Sequence, residues 1–289
     1  MKINIDKLWN YYQPTFEYEK IFNDLKWPWA GHKYFIYDFI RNLKPRSIVE
    51  LGTHKGTSFF SMCQAVKDGK LKTKLYAIDI WKGDEHAGFY DETIFNEVVK
   101  IKKTYYSKQN IFLLRSLFDD AVSRFKNNSI DLLHIDGLHT YNAVKHDFDN
   151  WFKKVKKNGV IIFHDTNEKK DDFGVYKLWN KLKKEYKTLE FSHSHGLGIL
   201  FKKSTSAQDL KIFETIWQKY YPLLIDKKVL KTQLQQSRTE TEEARNNLSQ
   251  KSLETKNYKK ELEQTKKQIQ QNKNHIQNLE IILSQIKSS

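Results

Sequence analysis

Residues 47–58 read SIVELGTHKGTS. Ser47–Leu51 is a short apolar run with β-branched Ile48 and Val49. A Gly-x-x-x-Gly turn follows at Gly52 and Gly56, and from Thr57 to Lys67 the pattern is helical. A strand that ends in glycine and feeds a helix is half of a βαβ unit, because parallel strands need a crossover and are buried on both faces. The unit recurs. LYAIDI (Leu75–Ile80), NIFLL (Asn110–Leu114), IDLLHID (Ile130–Asp136) and GVIIFHD (Gly159–Asp165) read as strands. Helical patterns at Glu92–Lys103, Phe118–Phe125 and Tyr141–Lys156 lie between them. YKTLEFSHS and LGILFKK flank HGLG and predict an antiparallel hairpin at the sheet edge. The fold class is α/β, a doubly wound and mostly parallel sheet.

Composition sets the outer limits. The chain has 289 residues, 39% of them apolar, enough for one large domain and an appendage. The N-terminus MKINIDKLWNYYQP lacks the apolar core of a signal peptide, and no run approaches the roughly 20 apolar residues of a membrane span. A single cysteine, Cys63, excludes an internal disulfide and suits a reducing compartment, so a cytoplasmic location is expected, with a peripheral position at the inner face of the membrane left open. The net charge of +15 is spread through the chain and interleaved with acids; without an Arg-rich arm or zinc-finger spacing, it reads as a solvated basic surface rather than a nucleic-acid footprint.

All 11 glycines lie between Gly31 and Gly198, and the last proline is Pro222. We divide the chain into a domain over 1–205, with an N-terminal helical cap over about 1–45, a linking helix over 206–225, and a coiled coil over 226–289. The linking helix starts near Ser206, with Asp209 three residues on, and aligns Leu210, Phe213 and Trp217. In the tail, Leu262, Ile269, Ile276 and Leu283 share one heptad position, and Leu279 and Ile286 the other. The register runs back through Tyr258, Leu248, Ala244 and Leu234 to Leu230, with Ser237, Thr241, Lys251, Thr255 and Asn272 as polar seam residues. Self-association into a homo-oligomer is the expected use of that seam; a solvated single helix is the alternative.

Ligands of a doubly wound sheet collect at the carboxyl ends of its strands. Those ends hold Glu50, Gly52, Thr53, Gly56 and Ser58; Asp79, Ile80, Trp81, Gly83 and Asp84; Arg115 and Ser116; His134, Asp136, His139 and Tyr141; His164, Asp165 and Thr166. Five polar strand ends at one edge predict a site. The first turn lacks the Gly-x-Gly-x-x-Gly fingerprint of a pyrophosphate-binding loop, which argues against a nicotinamide-dependent oxidoreductase. An acid before the turn, Glu50, suits a cationic amino-acid moiety, and Asp79 at the second strand can accept from ribose hydroxyls. Together they point to S-adenosylmethionine.

In combination, IVELGTHKGTS, YAIDIWKGDEHAGFY, SIDLLHIDGLHTYNAVKHDFDNW and NGVIIFHDT resemble the class I S-adenosylmethionine-dependent methyltransferases. The resemblance is greatest to the bacterial O-methyltransferase branch of glycan and secondary-metabolite clusters, often fused to glycosyltransferases. It covers about residues 25–202. It implies a seven-stranded sheet with the last strand antiparallel. Glu50, Gly52, Thr53, Gly56 and Ser58 would hold the methionine part of the cofactor, Asp79 with Ile80 and Trp81 the ribose side, and Arg115 and Ser116 the adenine region. It further implies methylation of a sugar hydroxyl of a glycan or glycoconjugate, in the company of a glycosyltransferase, or, as an alternative, of a small secondary-metabolite hydroxyl. A methyltransferase-like scaffold without chemistry is the non-enzyme alternative.

Methyl transfer to a hydroxyl needs in-line position and removal of a proton. Asp136 and Asp165 end adjacent strands and are candidate Mg²⁺ ligands with His164 as an auxiliary, Asp136 also bordering the cofactor; His139, three residues after Asp136, is the candidate base. The same residues admit blander readings. Asp136 caps the next helix, His134 and His164 are hydrogen-bonded core histidines, Asp165 meets only cofactor or substrate, Trp81 is packing, and His54 and Lys55 face solvent. WKGDEHAGFYDETIF reads as a lid, in which Asp84, His86 and Tyr90 reach the site, and NEKKDDFGVYKLW as the closure of the acceptor side.

Overall fold

The computed structural model describes residues 9–22, 27–203 and 207–287. The chain divides into two compact units, Met1–Lys227 and Lys228–Ser289.

In the first unit, β1 (Ser47–Leu51), β2 (Lys74–Asp79), β5 (Asn110–Arg115), β6 (Ile130–Ile135), β7 (Val155–His164), β8 (Lys187–Phe191) and β9 (Leu197–Phe201) form one seven-stranded sheet. Its order is β5-β2-β1-β6-β7-β9-β8. Every pair is parallel except β7–β9 and β8–β9, so β9 is the one strand that runs against the others. The HGLG turn is too short for a crossover, which forces that reversal. A two-stranded ribbon, β3 (Gly83–Asp84) with β4 (Gly88–Phe89), stands apart from the sheet.

Both faces of the sheet are covered, as near-continuous apolar strands require. Ile48, Leu132 and Ile162 join one core with Phe59 and Met62 of α2 (Thr57–Asp68) and Phe35 and Phe39 of α1 (Lys33–Leu43). Their neighbours Val49, Leu133 and Ile161 join the other core with Phe148 and Trp151 of α5 (Tyr141–Phe152) and Trp179 of α6 (Val175–Glu185). The period of two along each strand sends successive side chains to opposite cores. α3 (Glu92–Tyr105) and the short α4 (Phe118–Val122) complete the layers.

One boundary differs from the sequence pattern. α5 ends at Phe152 and β7 begins at Val155, where the sequence places a helix to Lys156 and a strand from Gly159. Val155 is buried and pairs with Ile130, and Lys156 Nζ lies 2.7 Å from Asp131 Oδ1. Tertiary pairing overrides the helical propensity of the lysine-rich run.

α7 spans Ala207–Lys287, and within the described residues both the 206–225 and 226–289 segments of the sequence reading fall on it. Ser206 and the side chains of Leu210, Phe213, Trp217, Leu230, Leu234, Ile276, Leu279, Leu283 and Ile286 lie outside the described residues. In the second unit Leu248, Tyr258, Leu262 and Ile269 are each at least half exposed. Among the described residues no helix is long and apolar enough to cross a membrane.

Candidate active site

The pairing register brings the strand ends to one edge: Leu51 opposite Ile135, Ile135 opposite Phe163, and Asp79 opposite Arg115. A cavity of about 510 Å³ opens there. Gly52, Thr53, Gly56, Ser58, Asp79, Ile80, Ser116, Asp136, His139, His164 and Asp165 line it. Glu50, Trp81 and Arg115 do not.

The first turn is shaped by two glycines and one acid. Gly52 has φ +83°, and a Cβ there would stand 2.0 Å from the Asp136 carbonyl oxygen, so only glycine lets the loop lie against the end of β6. Asp79 Oδ2 accepts the backbone N–H groups of Thr53 and His54 at 2.8 and 2.9 Å, and its Oδ1 accepts that of Trp81. The acid thus ties the loop after β1 to the loop after β2, and its Oδ1, with a single backbone donor, retains acceptor capacity. Thr53 Oγ1 is buried without a hydrogen-bond partner on the cavity wall. A bare glycine floor and an unsatisfied hydroxyl fit the amino-acid end of S-adenosylmethionine.

Glu50 sits behind this loop, fully buried, with Oε2 2.8 Å from His134 Nδ1 and Oε1 without a partner. Burial pushes its pKa up against the opposing pull of His134. His134 therefore stands in the core across from Glu50 rather than in the cavity. Trp81 is fully buried, donates Nε1–H to the His54 carbonyl at 2.9 Å and packs on Phe95. Arg115 pairs with Glu92, donates from Nε to the Ile80 carbonyl and lies over the Phe95 ring. Trp81 and Arg115 buttress the loop after β2 from outside.

The chemistry-bearing groups meet beyond the cofactor loop. Asp136 Oδ1 lies 3.6 Å from His139 Nε2 and 3.4 Å from His164 Nδ1. Asp165 Oδ2 lies 2.9 Å from His139 Nε2 and 3.2 Å from His164 Nδ1. Asp165 takes a left-handed φ of 59°, which Asp tolerates better than most residues, and this turns its carboxylate toward the site. Burial lowers the pKa of His139, but the hydrogen bonds and charges of Asp136 and Asp165 outweigh it and hold it at about 9. Burial also opposes protonation of His164, and Asp165 and Asp136 nonetheless hold it at about 10. The imidazolium charges in turn hold Asp136 and Asp165 below the usual carboxylate range, against the burial that would raise them.

Asp136, His139 and Asp165 each offer one ligand atom within 4.8 Å of the other two. The two carboxylate oxygens fit a small divalent cation whose remaining positions are filled by oxygen, and with the ion on the carboxylates the His139 imidazole would stand beside it as a free base. His164 touches the same carboxylates and also lines the cavity.

Several wall residues escaped the sequence reading. Trp29 donates Nε1–H to Asp136 Oδ2 at 2.8 Å. Trp27, Leu117, Phe118 and Leu138 also line the cavity. Leu117, Phe118 and Leu138 are apolar residues beside the polar strand ends, and Trp27 and Trp29 come from a segment without strand punctuation, where only the Trp-Pro-Trp of residues 27–29 stands out. The expected lid is the β3–β4 ribbon and its flanks. Its Gly83, Asp84, His86 and Tyr90 line the cavity, and His86 Nε2 lies 2.6 Å from Asp172 Oδ1 on the loop after β7. Phe173 of that loop stacks on His139 at 4.7 Å and on His86 at 4.5 Å.

Comparison with known proteins agrees with this architecture. Residues 49–166 match a family model described as a methyltransferase domain. An uncharacterized protein of Sinorhizobium fredii is 43% identical over 182 residues, which are 63% of this chain and 20% of that protein. An uncharacterized protein of Acanthamoeba polyphaga mimivirus is 34% identical over 125 residues, 42% of this chain and 51% of that protein. The chain thus spans a fifth of the length of one curated relative and half of the other. Among solved structures, the S-adenosylhomocysteine-bound methyltransferase of Podospora anserina superposes with a TM-score of 0.50 at 13% identity, over 68% of this chain and 91% of that one. The first unit has the fold of the class I S-adenosylmethionine-dependent methyltransferases, and its residues 49–166 are similar to their domain model.

Proposed function

We propose that the chain is an S-adenosylmethionine-dependent O-methyltransferase that acts on a hydroxyl of a small acceptor. The observation that carries this is the convergence of Asp136, His139 and Asp165 in the same cavity as the glycine floor and Asp79-tied loop suited to the cofactor. Bound S-adenosylmethionine supplies the activated methyl group. His139 Nε2, held by Asp165 at 2.9 Å, is the group placed to take the hydroxyl proton. A divalent cation such as Mg²⁺ on Asp136 and Asp165 would acidify that hydroxyl and offset the negative charge that holds His139 protonated. The aromatic side chains of Trp27, Trp29, Tyr90 and Phe173 exclude water and give an acceptor ring a face to stack on.

A cavity of about 510 Å³ must hold the cofactor and the reacting part of the acceptor together, so the reacting part is small. A sugar hydroxyl of a glycan is the narrower reading and rests on the sequence resemblance, as does a glycosyltransferase partner. The heptad spacing and the exposed Leu248, Tyr258, Leu262 and Ile269 support self-association of the second unit as a coiled coil.

The test is incubation of the full chain with S-adenosylmethionine and a panel of small phenols, catechols and sugar nucleotides, with Mg²⁺ or with EDTA. Release of S-adenosylhomocysteine with a methylated product, lost on Asp136→Asn, supports the reading. Methylation only at nitrogen or carbon acceptors overturns its O-methyl part, and full activity in EDTA overturns its cation part.

A further inference from the structure

We propose that Trp29 is a positioning residue for Asp136. Its indole N–H holds the outward oxygen of that carboxylate, so that the inward oxygen faces Asp165. The inference rests on the methyltransferase reading above and goes beyond it, because Trp29 lies outside the residues 49–166 that match the methyltransferase model.

An indole N–H can only donate, and a buried one usually pairs with an acceptor. Trp29 is 6% exposed, and its acceptor is Asp136 Oδ2 at 2.8 Å. The ring is wedged between two histidines of the site, stacked on His164 at 5.5 Å and edge-on to His134 at 4.9 Å. Fixed this way, the indole leaves Asp136 Oδ1 as the oxygen directed to His139 and His164. Without a fixed donor, the terminal torsion of an Asp side chain is broad.

The segment that carries Trp29 is itself fastened to the turn between β8 and β9. His32 Nε2 lies 3.1 Å from the Ser194 carbonyl, and His193 Nε2 lies 3.2 Å from the Gly31 carbonyl. A Cβ on Gly31 would stand 1.8 Å from Ser194 Oγ, so the Ser194 side chain fills the space that a side chain at position 31 would need. The same turn brings His195 Nδ1 within 3.3 Å of Asp165 Oδ1. Each carboxylate therefore has a ring nitrogen against its outward oxygen, one from the N-terminal segment and one from the C-terminal hairpin. The inward oxygens, Asp136 Oδ1 and Asp165 Oδ2, both face His139 Nε2. Partners that orient ligating carboxylates typically matter about 10- to 100-fold in metal affinity.

Trp29→Phe keeps a ring and removes the N–H. The experiment is calorimetric titration of Mn²⁺ into the full chain saturated with S-adenosylhomocysteine, for the wild type, Trp29→Phe and His195→Ala. We expect S-adenosylhomocysteine affinity to stay within about twofold in both variants while Mn²⁺ affinity falls about tenfold or more in Trp29→Phe and in the same direction in His195→Ala. A merely structural role would lower both affinities together. Mn²⁺ affinity within about twofold of wild type in both folded variants overturns the proposal, as does a wild-type chain that binds S-adenosylhomocysteine and no Mn²⁺. A wild-type chain that fails to bind S-adenosylhomocysteine sinks the methyltransferase reading itself, and this inference with it.

Discussion

His139 stands between two carboxylates, and that position sets its chemistry. A histidine held at a pKa of about 9 is an imidazolium at neutral pH, and it becomes a base only when the negative charge around it is partly neutralised. His139→Ala should slow methyl transfer about 10²- to 10⁴-fold, the usual range for loss of a general base, with S-adenosylhomocysteine affinity little changed; steady-state rates beside calorimetry would check both. A second residue invites a cleaner test away from the site. Asp147 on α5 is 7% exposed, and burial, opposed by His146 and reinforced by Asp119, raises its pKa to about 7. Its folded pKa lies above its unfolded value near 3.8, so its contribution to stability is fully present below pH 4 and is lost as pH rises to about 7. Asp147→Asn should therefore leave the melting temperature unchanged near pH 4 and raise it at pH 8, by at most about 4 kcal/mol of stability. Calorimetric melts at the two pH values decide it, and an equal shift at both would refute the assignment.

At the scale of elements, the site is made by two loops that touch. Gly52 in the loop after β1 lies against the end of β6, and Asp79 at the end of β2 ties that loop down from the other side. Gly52→Ala places a Cβ 2.0 Å from the Asp136 carbonyl and in a left-handed conformation. It should weaken S-adenosylhomocysteine binding about tenfold or more and lower the melting temperature, whereas Gly88→Ala, with φ +77° but nothing within 4 Å, should lower the melting temperature without affecting binding. These elements were legible from the sequence because they carry short, near-continuous apolar runs closed by glycine and acid. The β7 start was not, because Lys156–Gly159 has no local preference for a strand and is drawn in by pairing. Trp29 was not legible either. Its role depends on a contact 107 residues away in the chain, with Asp136, and no local pattern encodes such a distance.

The whole chain pairs a methyltransferase-fold unit with a second unit whose described part is one helix with an exposed apolar seam. Leu262 and Ile269 share a heptad position and are 55% and 50% exposed. If a second copy covers them, Leu262→Lys with Ile269→Lys in the full chain should convert an oligomer to a monomer in light scattering and leave S-adenosylhomocysteine binding intact. A wild-type chain that is already monomeric at micromolar concentration would count against the coiled coil. In the sequence, the composition break after Pro222 and the heptad spacing propose such a unit, since a heptad repeat needs no tertiary context to be read. What that unit binds is a property of its surface, and there the sequence is generic.

Every part of this account depends on the cavity holding the cofactor. The most direct measurement is calorimetric titration of S-adenosylhomocysteine into the purified full chain, with Asp79→Ala in parallel. The account predicts one site per chain in the wild type and its loss or severe weakening in Asp79→Ala, because the acid that ties down Thr53, His54 and Trp81 would be gone. No binding by a folded wild-type chain, with or without Mg²⁺, would contradict it.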